Sequence, residues 1–254
     1  EASAEYRSFV SRFPKSPLVP EAYFWIGKSA LMTNQVDEAL QNFNQVVNSY
    51  PSSKVAGKAL FEIGMVYLTQ KHFSEASRTF DRLEEKYPGT DASVEGAYQK
   101  GVALELGGSS ERARQQFESV FKKFPQSIFA GKSKISLARI YRNEGKTAEA
   151  VRILTEVVTG RTDDLGAEAQ FELGVTQQMS RNYDDAIAAF LRVKYVFPSA
   201  EQWIARSYLR LGECYKATNQ VGKAKDAYET VLRNHKNDDL GREAEQRLKQ
   251  LQES

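Results

Sequence analysis

The sequence predicts an all-α chain built from a repeated helix–turn–helix unit, an α-solenoid. Three observations carry this: prolines at a fixed spacing, a series of small residues in register with them, and an alanine and a large apolar residue at constant distances beyond. Pro14, Pro51, Pro88 and Pro125 stand 37 residues apart, and Pro198 lies two periods on, less one residue. An aromatic residue precedes each: Phe13, Tyr50, Tyr87, Phe124 and Phe197. Between them run Gly27, Gly64, Gly101, Ala138, Gly174 and Gly212. Twelve residues after each comes Ala39, Ala76, Ala113, Ala150, Ala186 or Ala224, and four further on Phe43, Phe80, Phe117, Leu154, Phe190 or Tyr228. Columns in register at such a period mark a repeat architecture.

Each element has a physical reason. The small residue lets a first helix approach a second closely, where a larger side chain would overpack. The alanine does the same on the second helix, and the large residue fills the gap between them. Residues 1–14 place Ala2, Tyr6, Phe9, Val10 and Phe13 at helical spacing on one face and stop at Pro14. They align on 38–51 without a gap, so they are expected to be the second helix of a truncated repeat, its apolar face partly uncovered and open to self-association. Six repeats follow, at 15–51, 52–88, 89–125, 126–162, 163–198 and 199–236, and together with the ends they form one domain over 1–254. Polar turns such as TNQ (33–35) and LGGSS (106–110) join the two helices. Asp37, Ser74 and Asp184 are expected to cap the second helices, with Val36, Phe73, Tyr183 and Val221 just before them as hydrophobic staples. The fourth repeat departs from the pattern: Ala138 replaces glycine, and VVTGRTDD (157–164) lacks the aromatic–proline pair. Gly160 is expected to end that helix in the left-handed conformation. DDLGAEAQ (163–170) recurs as DDLGREAEQ (238–246), and both should begin first helices. At 237–254, Glu245, Gln246 and Lys249 replace the apolar and small positions, as a polar capping helix requires.

Small residue, alanine at +12, large apolar residue at +16 and proline at +24 resemble the tetratricopeptide repeat, over nearly the whole chain. The resemblance implies a right-handed solenoid whose first helices line a concave, partner-binding face. The repeat is three residues longer than usual. With YPSSK (50–54), FPKSP (13–17) and FPQSI (124–128), it is similar to bacterial cell-envelope members such as the outer-membrane barrel-assembly lipoprotein and the Tol–Pal cell-division coordinator. That implies a periplasmic or cell-envelope location, with the cytoplasm as the alternative.

Composition excludes several function classes. With 41% hydrophobic and 27% charged residues the chain is that of a folded protein, and no apolar run is long enough to span a membrane. A net charge of +2 gives no reason to expect nucleic acid. Two Gly-Lys-Ser tripeptides, 27–29 and 131–133, lack the upstream glycine of a phosphate loop and fall in first helices. His72 and His235 have no ligand set around them, Cys214 reads as a small buried hydrophobe, and the acidic pairs at 163–164, 184–185 and 238–239 read as helix starts. No catalytic constellation is present, so a non-catalytic chain without cofactor or metal is expected.

What remains is a surface for a protein partner, peptide or helix. By resemblance, the concave face carries the residues three before and one and four after each small residue. These are Phe24, Lys28 and Leu31; Phe61, Met65 and Leu68; Tyr98, Val102 and Glu105; Arg139 and Arg142; Phe171, Val175 and Gln178; and Glu213 and Lys216. Met32 and Met179, five after, add adaptable apolar contact. The column at Phe24, Phe61, Tyr98, Ile135, Phe171 and Leu209 is apolar throughout, which suits groove and core alike. Arg139 and Arg142 can receive an acidic partner segment, or be a solvated stripe. The principal reading is a protein-binding scaffold. The alternatives are an architectural or self-assembling spacer and, less well supported by the balanced charge, an RNA-binding solenoid.

Overall fold

The computed structural model describes residues 2–252; the side chain of Ala2, aligned above on Ala39, lies outside the described residues. Among them are fourteen helices and no strand. They are α1 (Ala2–Arg12), α2 (Val19–Met32), α3 (Val36–Ser49), α4 (Ala56–Thr69), α5 (Phe73–Lys86), α6 (Asp91–Leu106), α7 (Ser110–Lys123), α8 (Ile128–Asn143), α9 (Thr147–Val158), α10 (Asp164–Met179), α11 (Tyr183–Val196), α12 (Glu201–Ala217), α13 (Val221–Asn234) and α14 (Asp239–Gln252). They form two compact units, residues 1–133 and 134–254. In the first, each helix from α1 to α7 packs on its neighbour in sequence, and α4 also meets α6. In the second, α9 to α14 do the same, and α12 also meets α10 and α14. The predicted all-α solenoid architecture is the one observed.

The columns become contacts. All six alanines are 0% exposed, as are Phe43, Phe117, Leu154 and Phe190. A methyl group built on Gly64 would stand 2.5 Å from Cε1 of Phe80, well inside van der Waals contact. The ring occupies the volume a side chain would need. Ala138 is tolerated in the fourth repeat because its partner at that place is Leu154, shorter than phenylalanine and without a ring. Cys214 is fully buried beside this crossing in the sixth repeat, and burial pushes its thiol up to about 11, an unreactive thiol.

The turns hold a column that the sequence pattern did not disclose. Seven residues after each small position stand Asn34, Lys71, Gly108, Gly145, Arg181 and Asn219, all with φ between 59° and 78°. The N–H of Gln35 bonds the carbonyl of Ala30 at 2.8 Å and that of Asn34 bonds Leu31 at 3.0 Å, a Schellman closure of α2. The backbone therefore reverses on a left-handed residue, and the second helices begin directly after it. This corrects the capping expectation. The residues before α3, α5 and α11 are Gln35, His72 and Asn182, none with a side-chain cap. Asp37, Ser74 and Asp184 lie inside the first turn, and Val36, Phe73, Tyr183 and Val221 are first helical residues rather than staples. The acids still complement the helix dipole from there.

Side-chain caps occur where expected at the two DDLG sequences. Asp163 accepts from the N–H of Gly166 and Asp238 from that of Gly241, each at 3.0 Å. The side-chain hydrogen bond from Arg161 holds Asp163 below the usual carboxylate range. Gly160, φ 75°, follows α9 in the left-handed conformation as expected, and α9 is correspondingly short. α3, α5, α7 and α11 end on Tyr50, Tyr87, Phe124 and Phe197, each followed by proline, which disfavours helical backbone in the residue before it, whereas α13 ends on His235 without one. In α1, Tyr6, Phe9 and Val10 are half-buried, whereas Phe43, Val46 and Val47, at the same places one repeat on, are at most 3% exposed.

Two outcomes follow for stability. Arg181→Gly removes the left-handed strain of a residue with a side chain, and urea unfolding should show a gain of about 0.5–1 kcal/mol after the entropy cost of glycine. Gly64→Ala should cost about 1–3 kcal/mol by overpacking against Phe80. In a Phe80→Leu background, which reproduces the fourth repeat, the same alanine should be close to neutral.

Candidate functional site

The first helices present one stripe of residues at intervals of three and four, from six before the small residue to four after it, which helical periodicity places on a single face. The two units build this face differently. In the first, Leu31, Phe61, Met65 and Leu68 are half-buried and pack on the core of Phe43, Leu60 and Phe80, so their outer surfaces form a continuous apolar floor. Tyr98 and Val102 are half-buried on α6, and Glu105 stands beside them. Met32 is 88% and Leu106 59% exposed at the ends of α2 and α6. Trp25, 48% exposed, joins them. It lies two before the small residue, a place held elsewhere by polar or small side chains, so no column of the repeat points to it.

The apolar column resolves into core with two accessible members. Phe24 is 7% and Phe171 9% exposed, Ile135 1% and Leu209 4%, while Phe61 and Tyr98 keep part of their rings open. Each aromatic member meets the large residue of its own repeat, with ring centroids 5.7 Å apart for Phe24 and Phe43, 6.0 Å for Phe61 and Phe80, 5.8 Å for Tyr98 and Phe117, and 5.6 Å for Phe171 and Phe190. A second aromatic layer covers two of them. Phe129 lies 5.7 Å from Tyr98 with Lys132 over its outer face, and Trp203 lies 5.4 Å from Phe171 with Arg206 over its outer face.

In the second unit the face is closed by its own charges. Arg139 donates to Glu172 at 2.9 Å and to Glu168 at 2.7 Å, and Arg142 donates to the other oxygen of Glu172 at 2.5 Å. Burial works against the Arg139 charge, but the two carboxylates overcome it and hold its pKa above the ordinary value. Glu172 is only 7% exposed. The expectation that Arg139 and Arg142 receive an acidic partner segment is therefore corrected, as is that of a solvated stripe: the next first helix supplies the acids. Glu213 is similarly taken, accepting from Gln178 at 2.7 Å, from Arg210 at 2.9 Å and from Arg247. Val175 is 9% exposed, whereas Lys216 and Met179, the latter 60%, are exposed.

One rule underlies these pairs. The residue after the small position bonds the residue two before the next small position: Lys28 to Glu62 at 2.7 Å, Arg139 to Glu172, and Glu213 to Arg247. The ladder was legible in principle as a charge covariation at a separation of about one repeat. It was hidden because the other repeats break it, with Met65 opposite Gln99, Val102 opposite Ser136 and Val175 opposite Arg210.

Other cavities offer less. One of about 650 Å³ lies between α9 and α11 over α10, lined by Arg161, Gln170, Asp185 and Arg192. Its buried polar group, Gln170, is satisfied by the carbonyl of Ala189 at 3.0 Å. Among the described residues no group of three His, Cys, Asp or Glu could hold a metal ion, and no helix is long and apolar enough to cross a membrane.

A family model described as a tetratricopeptide repeat-like domain matches residues 89–253, and a tetratricopeptide repeat model matches residues 21–53 and 58–90. No curated protein matches the chain in sequence. Among solved structures, a tetratricopeptide repeat protein from Parabacteroides merdae is 15% identical with a TM-score of 0.66, covering 98% of this chain and 91% of that one. PilW, a type IV pilus biogenesis factor, is 14% identical with a TM-score of 0.66, covering 88% and 97%. PilF of Pseudomonas aeruginosa is 16% identical with a TM-score of 0.61, covering 90% and 97%.

Removing the Glu172 carboxylate leaves Arg142 without a counter-charge and Arg139 with Glu168 alone. Glu172→Ala should cost about 3 kcal/mol in chemical unfolding, as the loss of one partner of a buried ion pair does. Lys28→Ala, at the half-buried pair with Glu62, which is more open than the Glu172 site, should cost about 1 kcal/mol.

Proposed function

Because the chain belongs to the tetratricopeptide repeat family, we propose that it is a non-catalytic scaffold that holds a protein partner, a peptide or a helix, on the face of its first helices. The first unit is the principal site. The observation that carries this is its floor of Leu31, Phe61, Met65 and Leu68, apolar and only half-buried, beside exposed Met32 and Trp25. Contiguous apolar surface of this kind marks an interaction site, and aromatic and methionine side chains supply adaptable anchors. The second unit contributes rigidity, since its acids and arginines pair with one another. The balanced charge gives a nucleic-acid backbone no matching surface.

The place of this scaffold is a bacterial envelope complex in our reading. The long repeat with its YPSSK, FPKSP and FPQSI sequences supports it, through the resemblance to barrel-assembly and Tol–Pal members. The shared fold with PilW, described as a pilus biogenesis factor, is in keeping with it. A second reading, a self-assembling spacer, draws on α1, whose Tyr6, Phe9 and Val10 are half-open where their counterparts are fully covered.

Met65→Glu combined with Val102→Glu tests the first reading. The pair should weaken capture of the native partner by about a hundredfold or more, the loss of two apolar anchors of about 1.4 kcal/mol each, with helicity by circular dichroism unchanged. Undiminished capture would overturn the assignment of this face, and a change in sedimentation on Phe9→Glu would favour self-assembly.

A further inference from the structure

Six residues before each small position the chain carries Glu21, Lys58, Glu95, Lys132, Glu168, Arg206 and, at the corresponding place in α14, Glu243. The sign of the charge reverses at every step. In the second unit the acids of the row are held in salt bridges, Glu168 with Arg139 and Glu243 with Arg247, while Arg206 stands over the ring of Trp203. Among the described residues, none of Glu21, Lys58, Glu95 and Lys132 in the first unit is held in a salt bridge. One oxygen of Glu21 is buried without a hydrogen-bond partner. Burial raises the pKa of Glu95, Lys132 lowers it, and the carboxylate of Glu62 raises it further, so this acid lies among charges without a bonded counter-ion. Lys132 rests 5.2 Å from the centroid of Phe129.

The row stands on the same helical stripe as the apolar floor, one turn before Phe61 and Tyr98. The first helices α4 and α6 pack on one another, and packed helices lie about 8–10 Å apart, so their charges recur at about that interval. A partner of uniform sign would meet repulsion at every second step, whereas one of alternating sign is attracted at each. Seven residues of α-helix rise about 10.5 Å, which matches the interval.

We infer that the first unit takes an amphipathic helical segment whose apolar stripe covers the floor around Met65 and whose flanking row carries basic and acidic residues in alternation, one every two turns. The inference rests on the reading of this face as the partner site, and it adds the charge pattern by which a partner is chosen. Lys or Arg of the segment meets Glu21 and Glu95, and Asp or Glu meets Lys58 and Lys132.

The test uses synthetic helical peptides with one apolar face in common and a flanking row that is alternating, all-lysine or all-glutamate. Fluorescence anisotropy measures their binding to the chain, to Met65→Glu, and to a Lys58→Glu, Lys132→Glu double variant whose row is uniformly acidic. The alternating peptide should bind the unaltered chain about tenfold more tightly than either uniform one, a difference that shrinks in high salt. In the double variant the preference should pass to the all-lysine peptide. Equal binding of all three, abolished by Met65→Glu, would overturn the charge pattern and leave the apolar site standing. A preference of the unaltered chain for a uniform peptide would also overturn the pattern, and no binding by any peptide would overturn both.

Discussion

The close crossing of first and second helix within each repeat is the contact from which the rest of the structure follows. A glycine on one helix lets the ring of a phenylalanine on the other sit where a methyl group would otherwise be, 2.4–2.6 Å from the position of that methyl in most repeats. Dense packing of this kind fixes the rotation of both helices about their axes. Once rotation is fixed, the residues at intervals of three and four before and after the glycine must share one face. The apolar floor of Met65 and Leu68 is thus a consequence of how Gly64 meets Phe80.

Two further devices transmit that order along the chain. The left-handed residue seven places after each glycine closes the first helix in the backbone itself, which is why asparagine, lysine, glycine and arginine all serve there. The ion-pair ladder then ties one first helix to the next through Lys28 and Glu62, or Arg139 and Glu172. Where the ladder is complete, as around Glu172 and Glu213, the face has few charges left to offer. Where it is replaced by Met65 and Val102, the face stays apolar and open. Function and stability compete for the same positions, and the two units settle the competition differently.

Much of the fold was legible because it rests on volume, and volume is written in residue type. Gly27, Ala39 and Phe43 announce a helix crossing by their sizes alone, and Pro51 after Tyr50 announces where the helix stops. The helix starts were misplaced because they rest on backbone conformation: Lys71 and Arg181 give no outward sign of a positive φ, so Asp37 and Asp184 drew the capping assignment instead. Trp25 was missed for a related reason, since its place in the repeat is elsewhere filled by Glu62 or Glu172.

The sequence by itself determined the all-α class, the repeat, the packing partners at each crossing and the family, since each follows from local size and spacing. Only the tertiary structure decided which charges remain for a partner. Arg139 and Glu172 are 33 residues apart in the chain, and whether an arginine faces solvent or a carboxylate depends on how two helices from different repeats stand side by side. The alternating row from Glu21 to Lys132 was always in the sequence. Its meaning as an unspent set of charges came from the structure, which among the described residues binds none of the four in a salt bridge.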